Sequence, residues 1–272
     1  MTRATLADVL APGRAVAGLV CLGWEDARAY ALAAQDVGAP VILQAGPSAR
    51  AHTPLPVWGA MFRELAGTVS VPVVSHLDHG ADAAEARAAL AAGFTSVMFD
   101  GSRLPFDDNV ARTKAVADMA RAAGASSEGE IGFVGYASGE PSWGTDPGDA
   151  ARFAALTGVD ALAVSAGNVH LRTDATTGLD LDRLRAIRAI TDVPLVIHGG
   201  SGVPHAQRAA LARDGLVAKF NVGTELRQVF GRALRDALAA DPHAYDRVAI
   251  LKAVEGPLRE AARAIIAGMW DV

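Results

Sequence analysis

The sequence predicts an α/β fold: a (β/α)8 TIM barrel with an additional C-terminal helix. Three observations carry this reading. Eight short apolar runs alternate with eight Ala-rich helical stretches. The runs are continuously apolar rather than alternating, as expected of parallel strands covered on both faces. No linker or low-complexity segment interrupts the order, so a single domain over 1–272 is expected. A doubly wound sheet is the rival architecture. Here the first run is followed by GWEDARA, which lacks the Gly-rich nucleotide turn of such folds.

The first strand is AVAGLVCL (15–22), with a helix over 24–37. PVILQAG (40–46) leads to a helix over 55–68, and VPVVSH (71–76) to one over 81–92. FTSVMFD (94–100) precedes a helix over 108–123. SSEGEIG (126–132) is a weaker strand because it is polar, and 147–157 is its helix. ALAVSAG (161–167) precedes 181–190, and VPLVIHG (193–199) precedes 204–213. LVAKFNV (216–222) precedes 223–240, and a ninth helix over 245–268 is the C-terminal addition.

Composition narrows the function. The chain is 51% hydrophobic and carries a net charge of −5, which speaks against nucleic acid or an anionic membrane as partner. Cys21 is the only cysteine, which excludes an internal disulfide and a Cys-rich zinc site and reads as a small core residue. The start, MTRATLADVL, has no long apolar region, and no stretch reaches 18 apolar residues. A soluble, cytoplasmic protein is the expectation.

Polar residues gather at strand ends. Asp78 and His79 follow the third strand, and Asp100 ends the fourth. Glu128 and Glu130 lie on the fifth, Asn168 and His170 follow the sixth, His198 ends the seventh and Asn221 ends the eighth. In a barrel these positions meet at the C-terminal mouth, where active sites form. His79, His170 and His198 come from three different strand ends, and three imidazoles with an open fourth position suit a catalytic divalent metal. Neutral ligands leave the metal's charge available to polarise a carbonyl. His76 reads as an inward structural histidine. Asp78 either exchanges a proton near the metal or orients a histidine. Asp100, Glu128 and Glu130 either bind a second cation or orient the first one's ligands.

HGGSG (198–202) and NVGTE (221–225) add two Gly-rich turns, the second opening a helix. Backbone N–H groups there, with Thr224, favour an anion. Lys219 inside the eighth strand offers a Schiff base as an alternative chemistry. The three histidines favour the metal. The loop 133–149 either folds over the mouth or is a surface excursion, with Tyr136 and Trp143 touching substrate or packing the loop.

The chain resembles the class II, metal-dependent ketose-bisphosphate aldolases, nearest the branch acting on tagatose and fructose bisphosphates. The resemblance runs from about Leu6 to the final helix. It rests on HLDHG (76–80), SVMFDGS (96–102), EGEIG (128–132), NVH (168–170), IHGGSG (197–202) and FNVGTEL (220–226). It implies Asp78 as the proton-transfer carboxylate and His79, His170 and His198 as ligands of Zn2+, with cobalt or manganese as other possibilities. It places Asp100 and Glu130 around the metal. It implies that Gly199, Ser201, Asn221, Gly223 and Thr224 cradle a dihydroxyacetone phosphate moiety. It further implies a sugar-phosphate substrate and a homodimer or homotetramer.

Three departures stand out against that family. GLVCLGWED (18–26) replaces a Phe-Asn pair at the end of the first strand. Leu171 stands where a glycine usually follows the histidine, with Arg172 next as a candidate phosphate contact. GYASGE (135–140) replaces a Gly-Gly-x-Glu-Asp pattern. Fructose 1,6-bisphosphate or a related ketose phosphate is therefore the expected substrate. A non-phosphorylated or pyruvate-type donor, a related epimerase, and a sugar-phosphate binder without turnover are the alternatives.

Overall fold

In the computed structural model, the described residues are all except 1, 136–138, 140, 174–177 and 271–272. Eight strands close into a barrel in chain order. They are β1 (Val16–Val20), β2 (Val41–Ala45), β3 (Val73–Gly80), β4 (Ser96–Phe99), β5 (Ser126–Ile131), β6 (Ala161–Val164), β7 (Leu195–Ile197) and β8 (Lys219–Val222). Every neighbouring pair is parallel, and β8 returns to β1. The helices are α1 (Leu6–Val9), α2 (Trp24–Val37), α3 (Pro47–His52), α4 (Leu55–Thr68), α5 (Ala83–Ala91) and α6 (Phe106–Ala122). They continue as α7 (Pro147–Thr157), α8 (Leu181–Arg188), α9 (His205–Arg213), α10 (Thr224–Ala240) and α11 (Arg247–Trp270).

The eight strands and nine long helices fall where the apolar runs and Ala-rich stretches place them. Two helices were not expected. α1 and α3 have four and six residues, too short to show a 3.6-residue period. β3 also runs further than expected, so HLDHG is the end of the strand and not the loop beyond it. Among the described residues, no helix is long and apolar enough to cross a membrane.

The strand period of two residues explains the polar spacing. At the bottom of the barrel, Val16, Ile42, Val74, Ala161, Ala163 and Val196 form one apolar cluster. Leu6 and Val9 of α1 pack into that cluster and close the floor. The Leu6 N–H donates to Ser126 Oγ at 2.8 Å, tying α1 to β5. Above this cluster lie Gln44, His76, Glu128 and Lys219, all fully buried. Gly18 leaves room for this polar layer, because a Cβ there would stand 2.2 Å from Gln44 Oε1. Above it, Asp78, Glu130, His198 and Asn221 reach the mouth. The two glutamates of EGE are thus two floors of one interior column, not a surface pair.

Candidate active site and metal centre

The site begins with a fault in β3. Its pairing with β4 passes from Leu77↔Val97 to Gly80↔Phe99, so β3 carries one extra residue. His79 takes the left-handed conformation, φ 51°. In a regular strand Asp78 and His79 would face opposite sides. The bulge turns both into the mouth. Asn221 Nδ2 donates to Asp78 Oδ1 at 3.1 Å, and His79 Nδ1 lies 2.7 Å from Asp100 Oδ2. Gly80 is required here, since a Cβ would meet the Met98 carbonyl at 2.4 Å.

The rings of His79, His170 and His198 have centroids 4.6 to 5.7 Å apart. One ligand atom from each lies within 4.8 Å of the others, and the same holds for His79, Asp100 and Glu130. Glu130 Oε2 stands 3.5 Å from His198 Nδ1 and 3.7 Å from His79 Nδ1. Neither Glu130 Oε2 nor His198 Nδ1 has a hydrogen-bond partner among the described residues, although both are buried. Buried polar atoms are normally satisfied. Two orphaned lone-pair atoms aimed at one point, among three imidazoles, fit a divalent cation.

Below them a closed network sets the orientation of His198. Lys219 Nζ donates to Glu128 Oε2 at 2.5 Å and lies 3.3 Å from His76 Nε2. His198 Nε2 meets Glu128 Oε1 at 3.0 Å, which keeps that ring's proton on Nε2 and leaves the Nδ1 lone pair facing the cluster. His76 Nδ1 is bonded to Ser96 Oγ at 2.7 Å. Burial, with Lys219 beside it, pushes His76 down to about 3, so the ring is neutral. Glu128 is therefore committed beneath the cluster and is not one of its candidate ligands. Lys219 is fully buried in an ion pair rather than presented to the mouth.

Charge in the cluster is strongly polarised. Burial opposes a proton on His79, yet Asp78, Asp100 and Glu130 surround it and lift its pKa to about 10. Burial pushes His170 down to about 3, with His79 and His198 adding to the effect. Burial lifts Glu130 to about 7. Asp78 feels the same burial, but His79, His198 and Lys219 outweigh it and hold the carboxyl below its ordinary range. A cation must displace the His79 proton, whose hold weakens only as pH approaches about 10. Apparent affinity for a divalent cation is therefore expected to rise about tenfold per pH unit between roughly pH 7 and 9. Chelator competition across that range measures the slope, and a flat profile would mean that no proton leaves His79 there on binding.

The mouth encloses a cavity of about 600 Å3. Asp78, His79, Asp100 and His170 line it, as do Gly199, Ser201, Asn221, Gly223 and Thr224. Ser201 Oγ accepts the N–H groups of Gly223 and Glu225, both at 3.2 Å, and so caps the start of α10. Gly199 sits at φ 65°, where a Cβ would meet the Val169 carbonyl at 2.3 Å.

Other expectations fall differently. Arg172 is half-buried and is not part of the cavity wall. Leu171 is part of it, 48% exposed and at φ 59°. The backbone thus keeps a glycine-like conformation while carrying a large side chain. Trp143 pairs with Phe133 through two backbone hydrogen bonds, with ring centroids 5.4 Å apart, and packs the loop instead of lining the mouth. Tyr136 and most of GYASGE lie outside the described residues. Sequence reasoning missed Arg227, which lines the cavity and has a buried Nε without a hydrogen-bond partner among the described residues. Its position three residues after Thr224, on one helical face, was the available signal.

The parallel barrel and the cluster at its mouth define a metal-dependent barrel enzyme. A family model described as fructose-bisphosphate aldolase class-II matches residues 1–270, and the chain belongs to this family of lyases. It is 40% identical over 204 residues to a fructose-bisphosphate aldolase of Geobacillus stearothermophilus, covering 74% of this chain and 69% of that one. Its structure is similar to the YdjI aldolase of Escherichia coli K12, with TM-score 0.81 and 29% identity over 94% of this chain and 92% of that one. The fructose-bisphosphate aldolase of Campylobacter jejuni shares the fold, with TM-score 0.80 and 22% identity over 94% and 90% of the two chains.

Proposed function

We propose that the protein reversibly cleaves a ketose bisphosphate, fructose 1,6-bisphosphate or a close relative, to dihydroxyacetone phosphate and an aldehyde, with Zn2+ as its metal. The observation that carries this reading is the convergence of Asp78, His79, His170 and the capped start of α10 on one cavity, with His198 buried behind them. His79, His170 and His198 would hold the cation, with Asp100 and Glu130 beside it. When bound, such a cation polarises a carbonyl and stabilises charge that develops on oxygen.

The chain's own residues do the rest. Asp78 is held as a carboxylate, so in the cleavage direction it accepts the C4 hydroxyl proton, and it returns that proton in condensation. Asn221 fixes its orientation through Oδ1. The donor's phosphate sits at Ser201, Gly223 and Thr224, where the N-terminus of a 17-residue helix favours an anion. Arg227 lies next to this point, its Nη2 3.7 Å from where a Gly223 Cβ would stand. It provides a cation beside the donor's phosphate. Glu140, on the departing loop, lies outside the described residues, so the group that takes the donor-carbon proton is not assigned.

The test is a cleavage screen over ketose mono- and bisphosphates with metal content measured on the same sample. Dihydroxyacetone phosphate is the expected product, and chelation is expected to abolish its formation. Its absence from every reaction would refute the donor assignment.

Leu171 gives weight to a second reading, in which the donor lacks the phosphate. Its side chain stands on the rim where a backbone N–H would otherwise approach the anion. Leu171→Gly is expected to lower KM for phosphorylated donors by about threefold to tenfold. Stability should rise by no more than about 1.5 kcal/mol. Relief of about 1–2 kcal/mol of left-handed strain is offset by about 0.5–1 kcal/mol of added chain entropy. An unchanged KM for phosphorylated donors would favour the second reading.

A further inference from the structure

The strained turn that aims Asp78 and His79 does not hold itself. Arg50, on the short helix α3, reaches under it with a side chain only 6% exposed. Its Nη1 donates to the carbonyls of Ala45 and Asp78, both at 2.6 Å. Its Nη2 donates to the carbonyl of His79 at 3.1 Å. Its Nε donates to Glu85 Oε1 at 2.8 Å. Four of the five guanidinium N–H groups are therefore used, three of them on backbone carbonyls.

The arrangement matches a physical need. A bulge takes carbonyls out of the sheet ladder and bends the strand. At Asp78 and His79 those carbonyls belong to the two residues whose side chains enter the site. His79 is also left-handed without being glycine, a conformation that surrounding structure must enforce. Arg50 supplies that enforcement and spans two strand ends, Ala45 of β2 and residues 78–79 of β3. Glu85 completes the frame. Its Oε2 accepts the Ala81 N–H at 2.9 Å, and its own N–H donates to Asp82 Oδ1 at 2.8 Å. The chain is thus gripped in the bulge and just after it, and tied to the end of β2.

We infer that Arg50 is a positioning residue of this active site: through the carbonyls of Ala45, Asp78 and His79 it fixes the bulge that directs the Asp78 carboxylate and the His79 imidazole to their common point. It touches no reacting atom. The inference rests on the proposed roles of Asp78 and His79. A lysine cannot replace Arg50, because a single ammonium lacks the planar fork that spans three carbonyls and a carboxylate.

Three variants test it: Arg50→Gln, Arg50→Lys and Glu85→Gln. In metal-free Arg50→Gln, amide exchange over residues 78–81 is expected to rise about tenfold or more while β6 to β8 stay protected. Cobalt(II) affinity is expected to fall about 10- to 100-fold, and the visible absorption of the cobalt-loaded protein to shift. Loss in kcat should be of similar size, with KM changed less than about threefold. Arg50→Lys should be impaired in the same readouts to a lesser degree, and Glu85→Gln less again. Folded Arg50→Gln with wild-type exchange at 78–81 and wild-type cobalt binding would overturn the inference. If Arg50→Gln does not fold, wild-type exchange and cobalt binding in both other variants overturn it equally. A wrong substrate would remove only the kcat arm, because exchange and cobalt binding need no substrate.

Discussion

Asp78→Asn is expected to lower kcat about 10^2- to 10^4-fold while leaving KM and metal content near wild type. The substitution is nearly isosteric and keeps an oxygen for the Asn221 amide at its 3.1 Å position. It removes only the capacity to accept and return a proton. The carboxyl is already ionised well below neutrality, because His79, His198 and Lys219 outweigh the effect of its burial. Activity in the cleavage direction should therefore show no loss down to mildly acid pH that is attributable to Asp78 itself. Steady-state kinetics with metal analysis on the same preparation decide the matter. Retention of more than about a tenth of kcat would assign the proton to another group.

Lys219→Met should have the largest effect on stability. Glu128 and Lys219 are both fully buried and share a 2.5 Å contact. Removing the ammonium leaves a carboxylate in the barrel interior beside neutral His76. Breaking such a pair from one side costs about 3–5 kcal/mol. The double variant Lys219→Met with Glu128→Gln should recover most of this, since no charge is then stranded and the amide oxygen still accepts from His198 Nε2. Denaturant midpoints of the three proteins measure the pattern. Equal destabilisation in the single and double variants would mean that packing, not charge, dominates there. The same geometry argues against amine chemistry at Lys219. A lysine committed to a buried carboxylate is not a nucleophile for a ketone, and borohydride with dihydroxyacetone phosphate should trap no adduct.

The sequence displayed those features that repeat or that sit on strands. The barrel was legible because eight apolar runs and eight helices follow one rule. The cluster was legible because His79, His170 and His198 stand at comparable strand ends, and period two then carries Glu130 and Asn221 to the same place. The bulge was not, since nothing in HLDHG distinguishes a strand with an extra residue from one that simply ends. Arg50 was missed for a related reason. It acts through backbone carbonyls 5, 28 and 29 positions away, and a carbonyl carries no residue-type signature. Arg227 was hidden among the several arginines of α10, and only the closed cavity separates it from them. Arg172 was legible only as the residue after Leu171, and it is half-buried beside the described lining of the cavity.

The short helix α1 carries a further implication. Leu6 and Val9 seal the apolar floor beneath Glu128, Lys219 and His198. Water can then approach the buried ions only from the mouth. Coulombic forces are far stronger where water is absent, so four residues near the start of the chain govern the effective permittivity felt by a cluster at the opposite end of the barrel. The floor of the barrel is, in this sense, an insulator for the chemistry at its rim.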